Sequence, residues 1–308
     1  MATYCAGVLI SELRKRRGIT QEKLAEGICD RRTISYIESG SISPSKYVFE
    51  QLMHRLGIDP QRFSSYIASK EELYFDEMRD KIAQLLRESK TDEIMDLLES
   101  MEKKKSFRNN KFVLQYILKI RAWIIAGGMD WHNASDSKLL PLIEEAIHLT
   151  VENFDIQQIG SELYTVIEID LIRMYGLCKL FTGKLDDALP IFTQLDEIIK
   201  TGYIYSKDIS GIHTTLLVSL AKCYRWLGNY EAALSTSERG LSICAETQNY
   251  RSIPWLLYQK ASALYWLGKI EEALVALDEG IIIARNYKEL ELAESMEKRK
   301  LDAISGKF

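Results

Sequence analysis

The chain has 308 residues, 46% apolar and 27% charged, with a net charge of −4 and only 5 Pro and 17 Gly. At roughly 150 residues per domain this suits about two domains, and so few breakers disfavour both a many-turned all-β fold and a disordered chain. No run of about 18 apolar residues is present and the N-terminus lacks the basic-then-apolar order of a secretory signal, so no membrane span is expected and the cytoplasm is the default location.

The first predicted elements lie in a mildly basic head. Residues 1–66 carry 10 Lys/Arg against 7 Asp/Glu, whereas the remainder carries 30 against 37. Helix 1 is expected to run to about Arg17 and stop at Gly18, where a left-handed residue costs little. Thr20 then caps helix 2 over Gln21–Ile28, with Lys23 where a capping box needs Glu or Gln. Asp30 caps helix 3, which ends at Gly40, and Pro44 opens helix 4. On helix 3 the spacing turns Ile34 and Ile37 inward with Leu24 and Ala25, and turns Arg31, Arg32, Ser35 and Tyr36 outward.

From Glu71 onward the chain reads as amphipathic helix, with apolar residues at three- and four-residue steps, as in Ile82, Leu85, Leu86 and Ile94, Leu97, Leu98, Met101. Breaks are expected at Ser89–Asp92, Lys104–Asn109, Gly127–Asp136, Gly202–Lys207 and Asn249–Ser252. They leave about ten or eleven helices, and connections this short make neighbours antiparallel. Three segments align without gaps: GLCKLFTGKLDDALPIF from Gly176, AKCYRWLGNYEAALSTS from Ala221 and ASALYWLGKIEEALVAL from Ala261. Each has a small residue, then Gly seven later (Gly183, Gly228, Gly268), then Ala and Leu. The central Gly is expected to end helix A of a pair, and Ala188, Ala233 and Ala273 to let helix B pack against it. Gly240 and Gly280 would let the next helix A dock. Pro190 should kink the first of the B helices.

Signatures of catalysis are missing from the sequence. The five cysteines (Cys5, Cys29, Cys178, Cys223, Cys244) form no CxxC pair, and the four histidines are isolated. There is no HExxH, no GxxxxGK[ST] and no GxGxxG. No cofactor or metal is expected, and an enzyme is the least favoured class.

Three resemblances add to these expectations. The string TQEKLAEGICDRRTISYIESGSISP resembles the helix-turn-helix of the XRE family, the Cro and phage-repressor type. That implies a lambda-repressor-like bundle over residues 1–66, with helix 2 crossing the DNA backbone and helix 3 in the major groove. Arg31 and Arg32 could grip guanine edges with forked donors, and Tyr36 a thymine methyl or a phosphate. Thr20, Gln21 and Lys46, at helix N-termini, would meet phosphate, and Ser35 completes the outward face. Arg14 and Glu38 match the family's ion pair and are assigned to structure.

The small–Gly–aromatic–Ala pattern resembles the tetratricopeptide repeat, although the Gly-to-Gly steps of 45 and 40 exceed the usual 34 or so. The stretches 71–105 and 107–153 share the pair rhythm without the signature and are read as degenerate repeats. The whole is then all-α, with a right-handed α-solenoid of helix pairs over residues 67–308.

Head and body in this order resemble the Rgg/PlcR/NprR class of peptide-pheromone receptors. The resemblance implies a homodimer, a double-stranded DNA operator and a short signalling peptide in the concave groove, the logic of quorum sensing. Dimerisation is expected to involve the repeats and the segment Asp59–Tyr74. Projecting the A helices gives the expected lining: Asp170 and Arg173 in one repeat; Thr215, Ser219, Lys222 and Arg225 in the next; Trp255, Tyr258, Gln259, Ser262 and Tyr265 in the last. Leu177 and Val218 are weaker members, and Gln115, Lys119 and Trp123 could extend the lining upstream. A cationic centre beside an aromatic wall would suit a peptide's carboxylate and apolar side chains. Two alternatives stay open: a regulator whose repeats bind a protein partner instead of a peptide, and a protein that acts by sequestering or helping to dephosphorylate a partner.

Overall fold

A computed structural model describes residues 6–58, 70–128, 131, 133–161, 163–201 and 207–306. The described residues contain α-helices, short 3-10 turns and no strand. They form two compact units: one ends at Thr182, and the other comprises Gly183–Thr201 and the helices from Lys207 onward. The segment 59–69, which carries the expected boundary near residue 66 and most of the expected dimer segment, lies outside the described residues.

The first unit begins with α1 (Ala6–Arg16), α2 (Gln21–Ala25), α3 (Arg31–Glu38) and α4 (Lys46–Arg55). Their apolar stripes converge on Ile10, Leu24, Ile34, Ile37, Leu52, Met53 and Leu56, all fully buried. Helix α2 is shorter than expected because Gly27 turns left-handed, with φ of 68°. A Cβ there would lie 1.3 Å from the Thr150 carbonyl oxygen, so the backbone of the loop after α8 occupies the space a side chain would need. The start of α4 also differs by two residues. Ser45, a better N-cap than Pro, accepts from Val48 N at 3.3 Å and places Lys46 first in the helix.

Next come α5 (Lys70–Arg87), α6 (Thr91–Lys103), α7 (Lys111–Ile125) and α8 (Asp136–His148), followed by α9 (Val166–Phe181). The expected pairs 71–105 and 107–153 are thus α5/α6 and α7/α8. Head and pairs share packing: Tyr47 of α4 sits edge-on to Phe75 at 5.3 Å, and Phe75 in turn meets Phe107 and Tyr116. These rings belong to a core with Ile82, Ile94, Leu98, Met101 and Ile117. The long connection after α8 was not among the expected breaks. It is held by tertiary bonds, since Gln115 Nε2, on α7, donates to Thr150 Oγ1 and the Ala146 carbonyl. A reciprocal capping box between Thr165 and Glu168 then starts α9.

The second unit holds α10 (Leu185–Lys200), α11 (Lys207–Trp226), α12 (Tyr230–Thr247), α13 (Ile253–Trp266), α14 (Ile270–Asn286) and α15 (Leu290–Ile304). Gly183, Gly228 and Gly268 have φ of 77–80° and close the A helices as expected. Ser89 and Lys288 occupy the same left-handed turn position without being glycine, at φ 56° and 62°. The same local turn therefore closes α5, in a pair that lacks the sequence signature, and α14, the last of the signature B helices. Ala188, Ala233 and Ala273 are fully buried. A Cβ on Gly240 would meet Leu256 of α13 at 2.6 Å, and one on Gly280 would meet Met296 of α15 at 2.0 Å, so these glycines receive the next A helix. Helix α10 continues past Pro190, and α8 past Pro141.

Candidate functional site

In the head, the two faces of α3 separate as the spacing predicts. Ile34 and Ile37 are fully buried, whereas Arg31, Arg32 and Ser35 are exposed and Tyr36 is 54% exposed. Arg31 and Arg32 occupy the first turn, which contains no acidic residue, and the N-cap Asp30 makes no side-chain capping bond. Two cations at the positive end of a helix dipole work against helix stability. Their position suits an external anion better than the fold.

The groups behind α3 fix its angle. Arg14 Nε and Nη2 form a fork on Glu38 at 2.6 and 2.8 Å, and Nη1 donates to the Ile19 carbonyl at 2.9 Å. Ser11 Oγ and Gln21 Nε2 also donate to Glu38. Burial by itself would raise the Glu38 carboxyl, but the bonds from Arg14, Gln21 and Ser11 with the Arg14 charge outweigh it and hold the group below its usual range. Thr20 caps α2 through Lys23 N at 3.1 Å. Gln21 thus directs its amide nitrogen at Glu38, and Lys46 pairs with Asp76 of α5.

Arg55 ties the head to its own unit. It is 3% exposed, donates to the Leu24 carbonyl at 3.3 Å and to the Glu26 carbonyl, and lies 3.7 Å from Glu168 of α9. Nothing in the spacing of Arg55 and Glu168 announces that pairing.

The expected ligand-facing residues fall in two places. In the first unit, Asp170 is buried between Arg173, whose Nε and Nη2 donate to it at 2.9 and 2.8 Å, and Lys119 at 2.5 Å. Burial opposes its charge, but the two cations and their hydrogen bonds hold the carboxyl well below the usual range. In the second unit, Thr215, Ser219 and Ser262 return their hydroxyls to carbonyls of their own helices, those of Gly211, Thr215 and Tyr258. Trp255 donates its indole N–H to Glu289 at 2.7 Å. Arg225 Nε donates to Gln259 Oε1 at 3.1 Å, and Arg299 Nε to the Tyr258 hydroxyl at 3.3 Å. Lys222 on α11 and Tyr265 on α13 are half-buried, and the Tyr265 ring meets Trp266 edge-on at 5.8 Å. Arg299 was missed because α15 carries no repeat signature. The A-helix position of α15, after α13, was the one available signal.

The chain thus combines a helix-turn-helix head with a body of stacked helix pairs. Residues 10–63 match the family model described as helix-turn-helix. Among curated proteins no relative matches. Among solved structures, the chain is similar to PlcR of Bacillus thuringiensis, solved in complex with the peptide PapR7 and DNA. The identity is 17%, the match covers 95% of this chain and 98% of that one, and the TM-score is 0.62. It is also similar to ComR from S. thermophilus in complex with DNA and its signalling peptide ComS, at 18% identity, 97% and 99% coverage and TM-score 0.52. ComR from Streptococcus vestibularis with its cognate signalling peptide XIP matches at 16% identity, 96% and 97% coverage and TM-score 0.53. The likeness runs along nearly the whole given sequence and is one of fold.

Proposed function

We propose that this chain is a sequence-specific transcriptional regulator that binds duplex DNA through α3 and is controlled by a short signalling peptide bound to the A helices. Residues 1–66 serve as the DNA-binding domain, and residues 67–308 bind the ligand and dimerise. The reading places a homodimer in the cytoplasm and involves no catalytic step.

The observation that carries it is α3 itself: a helix sealed on one face, held in orientation by the Arg14–Glu38 fork, with two arginines, a serine and a tyrosine exposed on the other. Arg31 and Arg32 read base edges, Ser35 and Tyr36 supply the adjoining contacts, and Thr20, Gln21 and Lys46 stand at the helix ends that face phosphate. The peptide reading is supported by the shared fold with PlcR and ComR, both solved with peptides. Its residues are Asp170, Arg173, Thr215, Ser219, Lys222, Arg225, Trp255, Tyr258, Gln259, Ser262 and Tyr265. Mass spectrometry of the peptides and proteins that co-purify with the native protein tests this. A short peptide is the expected result, and a folded protein partner in its place would refute peptide control.

A further inference from the structure

Three successive A helices of the second unit, α11, α13 and α15, bring Arg225, Tyr258, Gln259 and Arg299 together. Gln259 is fully buried. Its Oε1 accepts from Arg225 Nε, which fixes the amide orientation, since an arginine nitrogen can only donate and the flipped amide would set donor against donor. The Gln259 Nε2 group, with two N–H donors, is not the atom that meets Arg225 and has no acceptor among the described residues. A buried amide left in that state is destabilising, because it has lost water without gaining a partner.

Arg225 has the complementary deficit. It makes no ion pair among the described residues, and its bond to Gln259 is to a neutral oxygen. Burial disfavours its charge; the phenols of Tyr258 and Tyr230 favour it, and the nearby Arg299 opposes it. Several other buried or half-buried cations do have a carboxylate. Arg173 and Lys119 share Asp170, Arg55 lies beside Glu168, and Arg14 forks onto Glu38. Arg225 and Gln259 together therefore offer positive charge and unused N–H donors, and both needs are met by one group, a carboxylate.

We propose that Arg225 and Gln259 form a subsite for a carboxylate of the peptide ligand, with Arg299 adding positive potential and holding the Tyr258 hydroxyl at its edge. This rests on the peptide reading above and specifies what the peptide must present there. The carboxylate can be a C-terminus or an Asp/Glu side chain, since the two share the same chemistry.

The test uses the full chain and three pools of short random-sequence peptides at fixed ionic strength. One pool has free C-termini and no Asp or Glu, one has amidated C-termini with Asp and Glu, and one has neither kind of carboxylate. Peptides retained by the protein after ultrafiltration are counted by mass spectrometry. The wild-type chain should retain at least one carboxylate-bearing pool about tenfold or more over the third, the size expected for a charge-assisted hydrogen bond. Which pool is retained distinguishes terminus from side chain. Arg225→Gln should lose the preference. Gln259→Glu, nearly isosteric, supplies Arg225 with an internal carboxylate; it should also lose the preference while melting at or above the wild-type temperature. Equal retention of the carboxylate-free pool, or an unchanged preference in both variants, overturns the subsite and leaves the peptide reading standing. If no pool is retained, both fail together.

Discussion

At the scale of single residues, α3 shows how side chains of one short helix divide between folding and reading. Ile34 and Ile37 bury the helix, whereas Arg31 and Arg32 sit where the helix dipole disfavours them. Replacing both arginines by alanine should leave the melting temperature unchanged or slightly higher. It should weaken operator binding by about 1–3 kcal/mol for each base edge no longer gripped. Gel shifts on specific and scrambled duplexes measure this, and undiminished specific binding would remove α3 from the role. The Glu38 carboxyl behind the helix gives a pH prediction. Its folded pKa lies below the unfolded 4.5, so its stabilisation is fully present above 4.5 and is lost as pH falls through the folded value. Glu38→Gln should flatten that acid limb in denaturant melts taken between pH 6 and pH 3 (on the order of the usual carboxylate range). An identical slope in the variant would place the acid sensitivity elsewhere.

Turns rather than helices decide the elements. Gly27 is required twice over, by its left-handed backbone and by the Thr150 carbonyl against it. Gly27→Ala should cost about 2–5 kcal/mol, combining left-handed strain with overpacking against backbone that cannot move aside. A chemical melt showing less than about 1 kcal/mol of destabilisation would mean that the α2 turn and the loop after α8 are not held together in this way. The reverse substitution applies at Ser89 and Lys288, exposed residues in left-handed turns. Exchanging each for Gly should stabilise by about 0.5–1 kcal/mol, relief of strain exceeding the added unfolded-state entropy. A drop in stability in both variants would contradict the shared turn geometry.

For the whole molecule, control requires that the ligand favour one arrangement of the DNA-binding heads over another. Lys222→Ala combined with Arg225→Ala should abolish the response to peptide, with helix content and unliganded DNA binding preserved, because both residues lie in the second unit and the DNA-reading helix in the first. Gel shifts with and without co-purified peptide follow the response. A full response in that double variant would move the ligand to another surface. Sedimentation of the full chain at micromolar concentration should report a dimer, which two half-sites one helical turn apart require; a monomer there would remove the dimeric operator from the reading.

The sequence by itself determined the all-helical class, the head, the outward set on α3 and the three signature repeats. These rest on local rules: apolar spacing of three and four, small residues where helices touch, and glycine where the backbone turns left-handed. The A helices of Arg225, Tyr258 and Gln259 were legible for the same reason. Tertiary structure alone decided the rest, because it depends on which distant atoms meet. The Thr150 carbonyl fills the space beside Gly27 where α2 ends, and Arg55 is buried next to Glu168 of α9. Ser89 and Lys288 take a glycine's turn, between α5 and α6 and between α14 and α15, without being glycine. Arg299 reaches Tyr258 from a helix without a signature, and Gln259 lacks an acceptor only once α11, α13 and α15 are packed side by side. Spacing along the chain specifies which face a side chain occupies, but the partner it meets there is fixed by packing between helices far apart in sequence.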